Sequence, residues 1–243
     1  MNLPTITDIK IKNSHNIEQN KKEDNSSKGK NIEENKNNEK WHDPLDYCQR
    51  TKYNYYGEQN IKGGTFGKVR NNETKNHQGI DLFALPGKDK VYACVEGEVV
   101  ESRYSDTGGN VLTIKVKDPD VLRVRMKEIN YKLEYNNSSK GEQKSANNFD
   151  IEKEKNIYLR YYHLSEVYVN KTDKKKVMAG AIIGKSGVTG NAGGTRGPHL
   201  HFEILNTTLY PKGLPNRMNP AYFIKLQPIK NDIQDEAKKK KHY

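Results

Sequence analysis

Gly197-Pro198-His199-Leu200-His201-Phe202-Glu203-Ile204-Leu205 is the stretch from which the fold can be read. Alternate side chains of a strand share a face. His199, His201 and Glu203 therefore point one way, and Leu200, Phe202 and Ile204 point the other way, into a core. Two imidazoles two residues apart then face one cleft, one nearer any bound metal than the other. This is the last of a series of short strand-like runs. Before it come Val91–Val100 with a glycine break, the alternating Asn110–Val116, the Tyr/Val/Leu-rich 156–169, and Ala181-Ile182-Ile183-Gly184. Turn signals at Pro86-Gly87, Gly108-Gly109-Asn110 and Gly193-Gly194 separate them. No segment of about twelve residues carries a helical stripe. The pattern predicts an all-β chain, a small antiparallel sandwich or barrel organised by glycine turns.

Working outward, residues 1–40 are rich in Asn, Lys, Glu and Ser, hold no aromatic residue, and predict a disordered N-terminal segment. The basic tail 228–243, ending in a lysine run, reads the same way. The domain then spans 41–227, enough chain to bury a core. This division accounts for a hydrophobic content of only 33% and a mean hydropathy of −1.04. Between about 117 and 156 lies a charged insert, with a strand expected through Val121–Met126 and a disordered or mobile middle. It is either a wall beside the site or a solvated decoration.

The net charge of +11 favours polyanions, an anionic envelope polymer or membrane surface among them. No recognition helix, aromatic ribonucleoprotein motif or finger spacing points to specific nucleic-acid binding. Two cysteines, Cys48 and Cys94, make no disulfide framework and no thiolate zinc site, and read as two half-buried thiols. No apolar run is long enough for a membrane span. The N-terminus lacks the basic and apolar regions of a signal peptide, which leaves the export route open.

Chemistry enters with Asn76-His77-Gln78-Gly79-Ile80-Asp81. His77 and Asp81, with one of the pair His199/His201, make a three-ligand zinc set, which leaves a fourth position for water. Tyr161-Tyr162-His163-Leu164-Ser165 supplies a further histidine. Each signal has a plainer reading. A lone His-x-x-x-Asp is usually a surface pair, and a histidine among tyrosines is usually packed. His15 and His242 fall in the expected disordered ends, and His42 reads as a structural start to the domain.

The ordered set of motifs resembles the lysostaphin-like zinc endopeptidases, cell-wall hydrolases built on a duplicated β-hybrid motif. The resemblance rests on His77-Gln78-Gly79-Ile80-Asp81 and His199-Leu200-His201, supported by Gly97-Glu98-Val99-Val100, Tyr162-His163-Leu164-Ser165 and Gly180–Gly187. It covers about Asn60 to Ile204, interrupted by the insert. The resemblance implies one zinc ion held by His77, Asp81 and His201, with His163 and His199 as the catalytic histidines beside an activated water. It also implies an endopeptidase that cuts peptidoglycan stem peptides or cross-bridges, acting in the bacterial envelope or outside the cell; the oligomeric state is left open, with a monomer favoured. The absence of a signal peptide adds a reading as an antibacterial effector or lysin. The chain departs from the family in one respect. Many relatives carry a tyrosine shortly before the first zinc histidine, and residues 70–76 have none. Tyr55 and Tyr56 lie further upstream. Asn191 and Arg196 are placed on the loop before His199, near the cleft. Two other readings stay open: a catalytically inactive envelope-binding scaffold or hydrolase activator, and a carrier-type β-hybrid domain, which would not need paired histidines.

Overall fold

Short β-branched and aromatic runs punctuated by glycine build an antiparallel architecture in the computed structural model, which describes residues 40–53, 61–137, 140–172, 175–192 and 197–240. The first 39 residues lie outside the described part, as do Tyr55, Tyr56, Arg196 and His242. In chain order the strands begin with β1 (Gly67–Arg70), β2 (Lys75–His77), β3 (Ile80–Phe83), β4 (Lys90–Tyr92), β5 (Gly97–Ser105) and β6 (Gly109–Val116). Helix α1 (Asp120–Ile129) is followed by β7 (Asn136–Asn137), β8 (Lys140–Glu142), β9 (Tyr158–Val167), β10 (Lys176–Val177), β11 (Ile182–Ser186), β12 (His199–Leu205) and β13 (Arg217–Met218). Helix α2 (Asn231–Lys239) comes last.

The large sheet runs β10-β5-β6-β9-β11-β4, and β12 pairs with β9, β3 and β13. β12 alternates as its sequence requires. Leu200, Phe202 and Ile204 are completely buried, and they share the core with Ile80, Leu82, Leu112, Ile114, Leu159 and Tyr161. A small second sheet, β2-β1-β8-β7, carries His77 at the end of β2.

The insert is more ordered than its composition suggests. The strand expected through Val121–Met126 is instead α1. Asp118 Oδ1 accepts the Asp120 amide at 3.0 Å at its start, Leu122, Arg123, Arg125, Met126, Lys127 and Glu128 are good helix formers, and Leu122 is buried in the core with Met126 packed against it one turn on. Asn130 closes the helix in the left-handed conformation (φ 46°). Ser138 and Ser139, in the middle expected to be mobile, lie outside the described residues. Glu142 is fully buried and accepts from Tyr131 Oη at 2.9 Å, the Glu134 amide at 2.9 Å and Asn219 Nδ2 at 3.0 Å. β8 pairs with β1, so the insert extends the sheet that bears His77.

The tail is a second correction. Within the tail expected to be disordered, Asn231–Lys239 form α2, whose Gln234 is completely buried; residues 241–243 lie outside the described part. Its Oε1 accepts the Lys52 amide at 2.8 Å, and its Nε2 donates to the Arg50 carbonyl at 2.9 Å and to Gln49 Oε1 at 3.1 Å. Charge and polarity made this segment read as solvated. Gln234 docks it together with the Lys52–Asp235 ion pair at 3.0 Å and the Lys230 amide on Gln49 Oε1 at 2.8 Å. Cys48 and Cys94 are both free thiols, fully buried rather than half-buried.

Candidate metal centre

Strand pairing brings the chemistry together. On β12, His201 lies directly opposite Asp81 of β3 and, on its other side, opposite Tyr162 of β9. Gln78-Gly79 links β2 to β3 and turns His77 towards the same point. Only glycine fits there: a Cβ on Gly79 would lie 2.3 Å from the Phe202 carbonyl oxygen and 3.0 Å from His201 Nε2.

His77 Nε2 lies 3.1 Å from Asp81 Oδ1 and 3.0 Å from His201 Nδ1, and the last two are 2.7 Å apart. Among the described residues, these three form the group with metal-holding geometry. Tetrahedral zinc with bonds of about 2.0–2.1 Å separates its ligand atoms by about 3.3 Å, so the triangle needs to widen by only a few tenths of an ångström. The outer contacts also fit. His77 Nδ1 donates to the Thr65 carbonyl at 2.8 Å, and His201 Nε2 donates to Glu203 Oε1 at 3.1 Å. Each imidazole thus spends one nitrogen on an oxygen and presents the other to the centre, as metal-binding histidines do. Asp81 Oδ2 accepts from Arg70 Nη2 at 2.6 Å and from the Tyr53 hydroxyl, which leaves Oδ1 for a metal.

His199 and His163 flank the trio. Their rings are 5.0 Å apart and T-shaped. His199 Nδ1 donates to the Gly197 carbonyl at 2.8 Å, and His163 Nδ1 to the Thr189 carbonyl at 2.9 Å. A carbonyl only accepts, so both Nδ1 atoms carry the proton and both Nε2 atoms hold a bare lone pair. The backbone sets the direction of His163. It sits at φ 65°, where the β6–β9 register shifts. Strict alternation would send it into the core after cleft-facing Tyr162. The bulge turns it back to the cleft, a strained conformation of the kind that clusters at functional sites.

Burial sets the charges. It pushes His77 down to about 4, helped by Arg70, and His163 down to about 3, helped by the neighbouring imidazoles of His199 and His201. His199 is also lowered by burial. Burial works against the charged form of His201 as well, but hydrogen bonds to Asp81 and Glu203 outweigh it and raise His201 to about 9. Burial likewise opposes the Asp81 carboxylate. The facing His77 and His199, then Arg70 and the His201 hydrogen bond, hold it well below the usual carboxylate range.

The five residues singled out from sequence all line one cleft of about 620 Å³, together with Asn191. His42 lies elsewhere: it stacks on Tyr92 at 4.5 Å and bonds the Cys94 carbonyl through its amide. Sequence reasoning missed Tyr53, Arg70 and the anchoring role of Glu203. Glu203 was legible, being two residues after His201 on the same strand face. Tyr53 was not, because its approach depends on the α2 clasp on residues 49–52. A second cavity of about 650 Å³, between Trp41 and α1, is lined by Asp46, Asp118, Asp120 and Glu128 and contains none of the five.

The model of peptidase family M23 matches residues 132–212, a span that includes His163, His199 and His201. An uncharacterized metalloprotease of Buchnera aphidicola subsp. Baizongia pistaciae (strain Bp) is 27% identical over 143 residues, 58% of this chain. The match spans 27% of that protein's length. The catalytic domain of the antimicrobial peptidase lysostaphin from Staphylococcus simulans is 26% identical, with 62% of this chain and 80% of that one covered at a TM-score of 0.40. LytU is 26% identical, with 64% and 78% covered at a TM-score of 0.41.

Proposed function

We propose, for a chain that resembles the lysostaphin-like peptidases of family M23, that this protein is a zinc-dependent endopeptidase acting on the peptides of peptidoglycan, in stems or cross-bridges. The observation that carries the reading is the convergence of His77, Asp81 and His201 on one point, flanked by two imidazoles with bare Nε2 atoms. A carrier domain has no use for that arrangement.

His77 Nε2, Asp81 Oδ1 and His201 Nδ1 would hold the metal. Bound there, zinc would polarise a substrate carbonyl and acidify a water molecule. The chain's own groups supply the rest. The carbonyl anchors of His163 and His199 fix both rings with Nε2 towards the cleft. One Nε2 accepts the proton of the attacking water, and the imidazolium so formed donates it to the departing amine. Burial keeps both rings neutral at pH 7, so the acceptor is present before substrate arrives. Glu203, Thr65, Tyr53 and Arg70 fix the ligand orientations. The basic surface suits an anionic envelope, and the site of action is the envelope or the extracellular space.

The test is digestion of purified peptidoglycan by zinc-loaded protein beside His199→Ala, with mass spectrometry of the released muropeptides. Zinc-dependent fragments that vanish in the variant are expected, and their masses identify the bond. Absence of fragments from either stem or cross-bridge, with zinc bound stoichiometrically, would shift the reading to a binding scaffold.

A further inference from the structure

The cleft extends from the metal trio to Tyr210, where three guanidiniums meet two carboxylates. Arg103 stacks on the Tyr210 ring at 4.3 Å, and Arg160 lies 3.9 Å from the same ring centre. Arg160 is completely buried and spends its donors inward, on Thr113 Oγ1 at 2.9 Å, the Leu209 carbonyl at 3.3 Å and the Thr208 carbonyl at 2.7 Å. Arg217 does the same, with Glu203 Oε2 at 3.2 Å and three backbone carbonyls. Glu203 is occupied by His201, Arg217 and Tyr162. Glu101 is occupied by Arg103, Thr113 and Tyr210.

Arg103 differs from the other two. Its Nε is held by Glu101 at 3.0 Å and by Tyr210 Oη at 3.0 Å. Its two terminal nitrogens make no hydrogen bond to the described residues, and its side chain is 35% exposed, on the wall of the cleft. Of the three guanidiniums, Arg103 is the one that lines the cleft. Lys75 and Arg70 line the same cleft, and the two carboxylates that share it, Asp81 and Glu203, are already engaged by Arg70 and Arg217. A stacked guanidinium pinned at Nε has little freedom left to lose, and its free edge matches a carboxylate in two parallel hydrogen bonds.

We propose that Arg103 is a specificity-determining residue whose terminal nitrogens receive a carboxylate of the substrate peptide. On this assignment, which rests on the peptidase reading above, the protein prefers carboxylate-bearing stem peptides to neutral glycine-type bridges.

The experiment compares zinc-loaded wild type, Arg103→Met and Arg103→Lys on cross-linked muropeptides with free side-chain carboxylates, on the same muropeptides amidated at those carboxylates, and on versions amidated at the C-terminus. The two amidated series separate a side-chain source of the carboxylate from a terminal one. Wild type should favour the free carboxylate by about tenfold or more in kcat/KM, carried by KM. Arg103→Met should lose the preference, the ratio of kcat/KM on free and amidated peptides falling to about one. Arg103→Lys, which keeps charge but not the fork, should fall between. Zinc content and melting temperature exclude misfolding, and the lysine variant serves if the methionine variant is unstable. An equal rate on free and amidated peptides in wild type, or a preference that survives in Arg103→Met, overturns the assignment. If wild type cleaves no peptide at all, the peptidase reading falls separately. The Arg103 assignment is then decided by NMR titration of the uncleaved peptides: tighter binding of the free carboxylate that disappears in Arg103→Met sustains it, and equal binding ends it.

Discussion

Zinc binding to metal-stripped protein should release about one proton at pH 7, and His201 is its source. Of the three candidate ligands, His77 sits at about 4 and Asp81 well below its usual range, so both are already deprotonated. His201 sits at about 9, because two carboxylates face it. A metal needs that nitrogen bare. Removing the proton at pH 7 costs roughly 3 kcal/mol. Zinc should therefore bind about a hundredfold more weakly at pH 7 than above pH 9, with log Kd falling by about one per pH unit from roughly 5 to 9. The stability of the metal-free protein runs the other way. The folded pKa of His201 lies above its unfolded value of about 6.5, so the stabilisation is complete below about pH 6.5 and is lost as pH rises to 9. The gap corresponds to roughly 3 kcal/mol. Calorimetric zinc titrations in buffers of different ionisation heat count the protons, and urea melts of the stripped protein follow the stability. A proton count near zero at pH 7 would show His201 neutral without metal, and a count near two would show His77 charged as well. Either result breaks the electrostatic account of the site.

Three further outcomes follow from packing. Phe202→Ala removes a completely buried ring from β12 and should lower stability by about 3–5 kcal/mol in urea melts; a loss below about 1 kcal/mol would mean the strand is not part of the core. Gly79→Ala forces a Cβ against the Phe202 carbonyl and should lower stability by about 1–3 kcal/mol and weaken zinc binding; unchanged zinc affinity would refute the close approach. Gln234→Ala strips the partner from the Lys52 amide and the Arg50 carbonyl and should cost about 1–3 kcal/mol, with faster amide exchange at 50–53; unaltered exchange there would contradict the clasp.

The all-β class and the common cleft of His77, Asp81, His199 and His201 were legible from local period, whereas the roles expected of them came from the motif resemblance. β12 states its own alternation, and His77 and Asp81 are four residues apart around a glycine. The parts that were not legible depend on long-range docking. Val121–Met126 looks strand-like until Leu122 finds the core and Asp118 starts a helix. The tail looks solvated until Gln234 meets a segment more than 180 residues earlier. The cleft orientation of His163 contradicts simple alternation, and only the motif resemblance pointed to it. Tyr53 reaches Asp81 through a contact that no spacing encodes.

The clasp between α2 and residues 49–52 also bears on the order in which the molecule is completed. Tyr53 touches Asp81 from a segment whose holder, Gln234, lies 182 residues from Lys52. The pairing of Asp81 with His201 closes a loop of 120 residues. Contacts of such separation form late and slowly. A chain emerging from the ribosome therefore exposes β1 to β11 before it can assemble any candidate metal centre, and it gains the Tyr53 brace only after the final helix is made. Fragments ending before His201 should bind no zinc at this site.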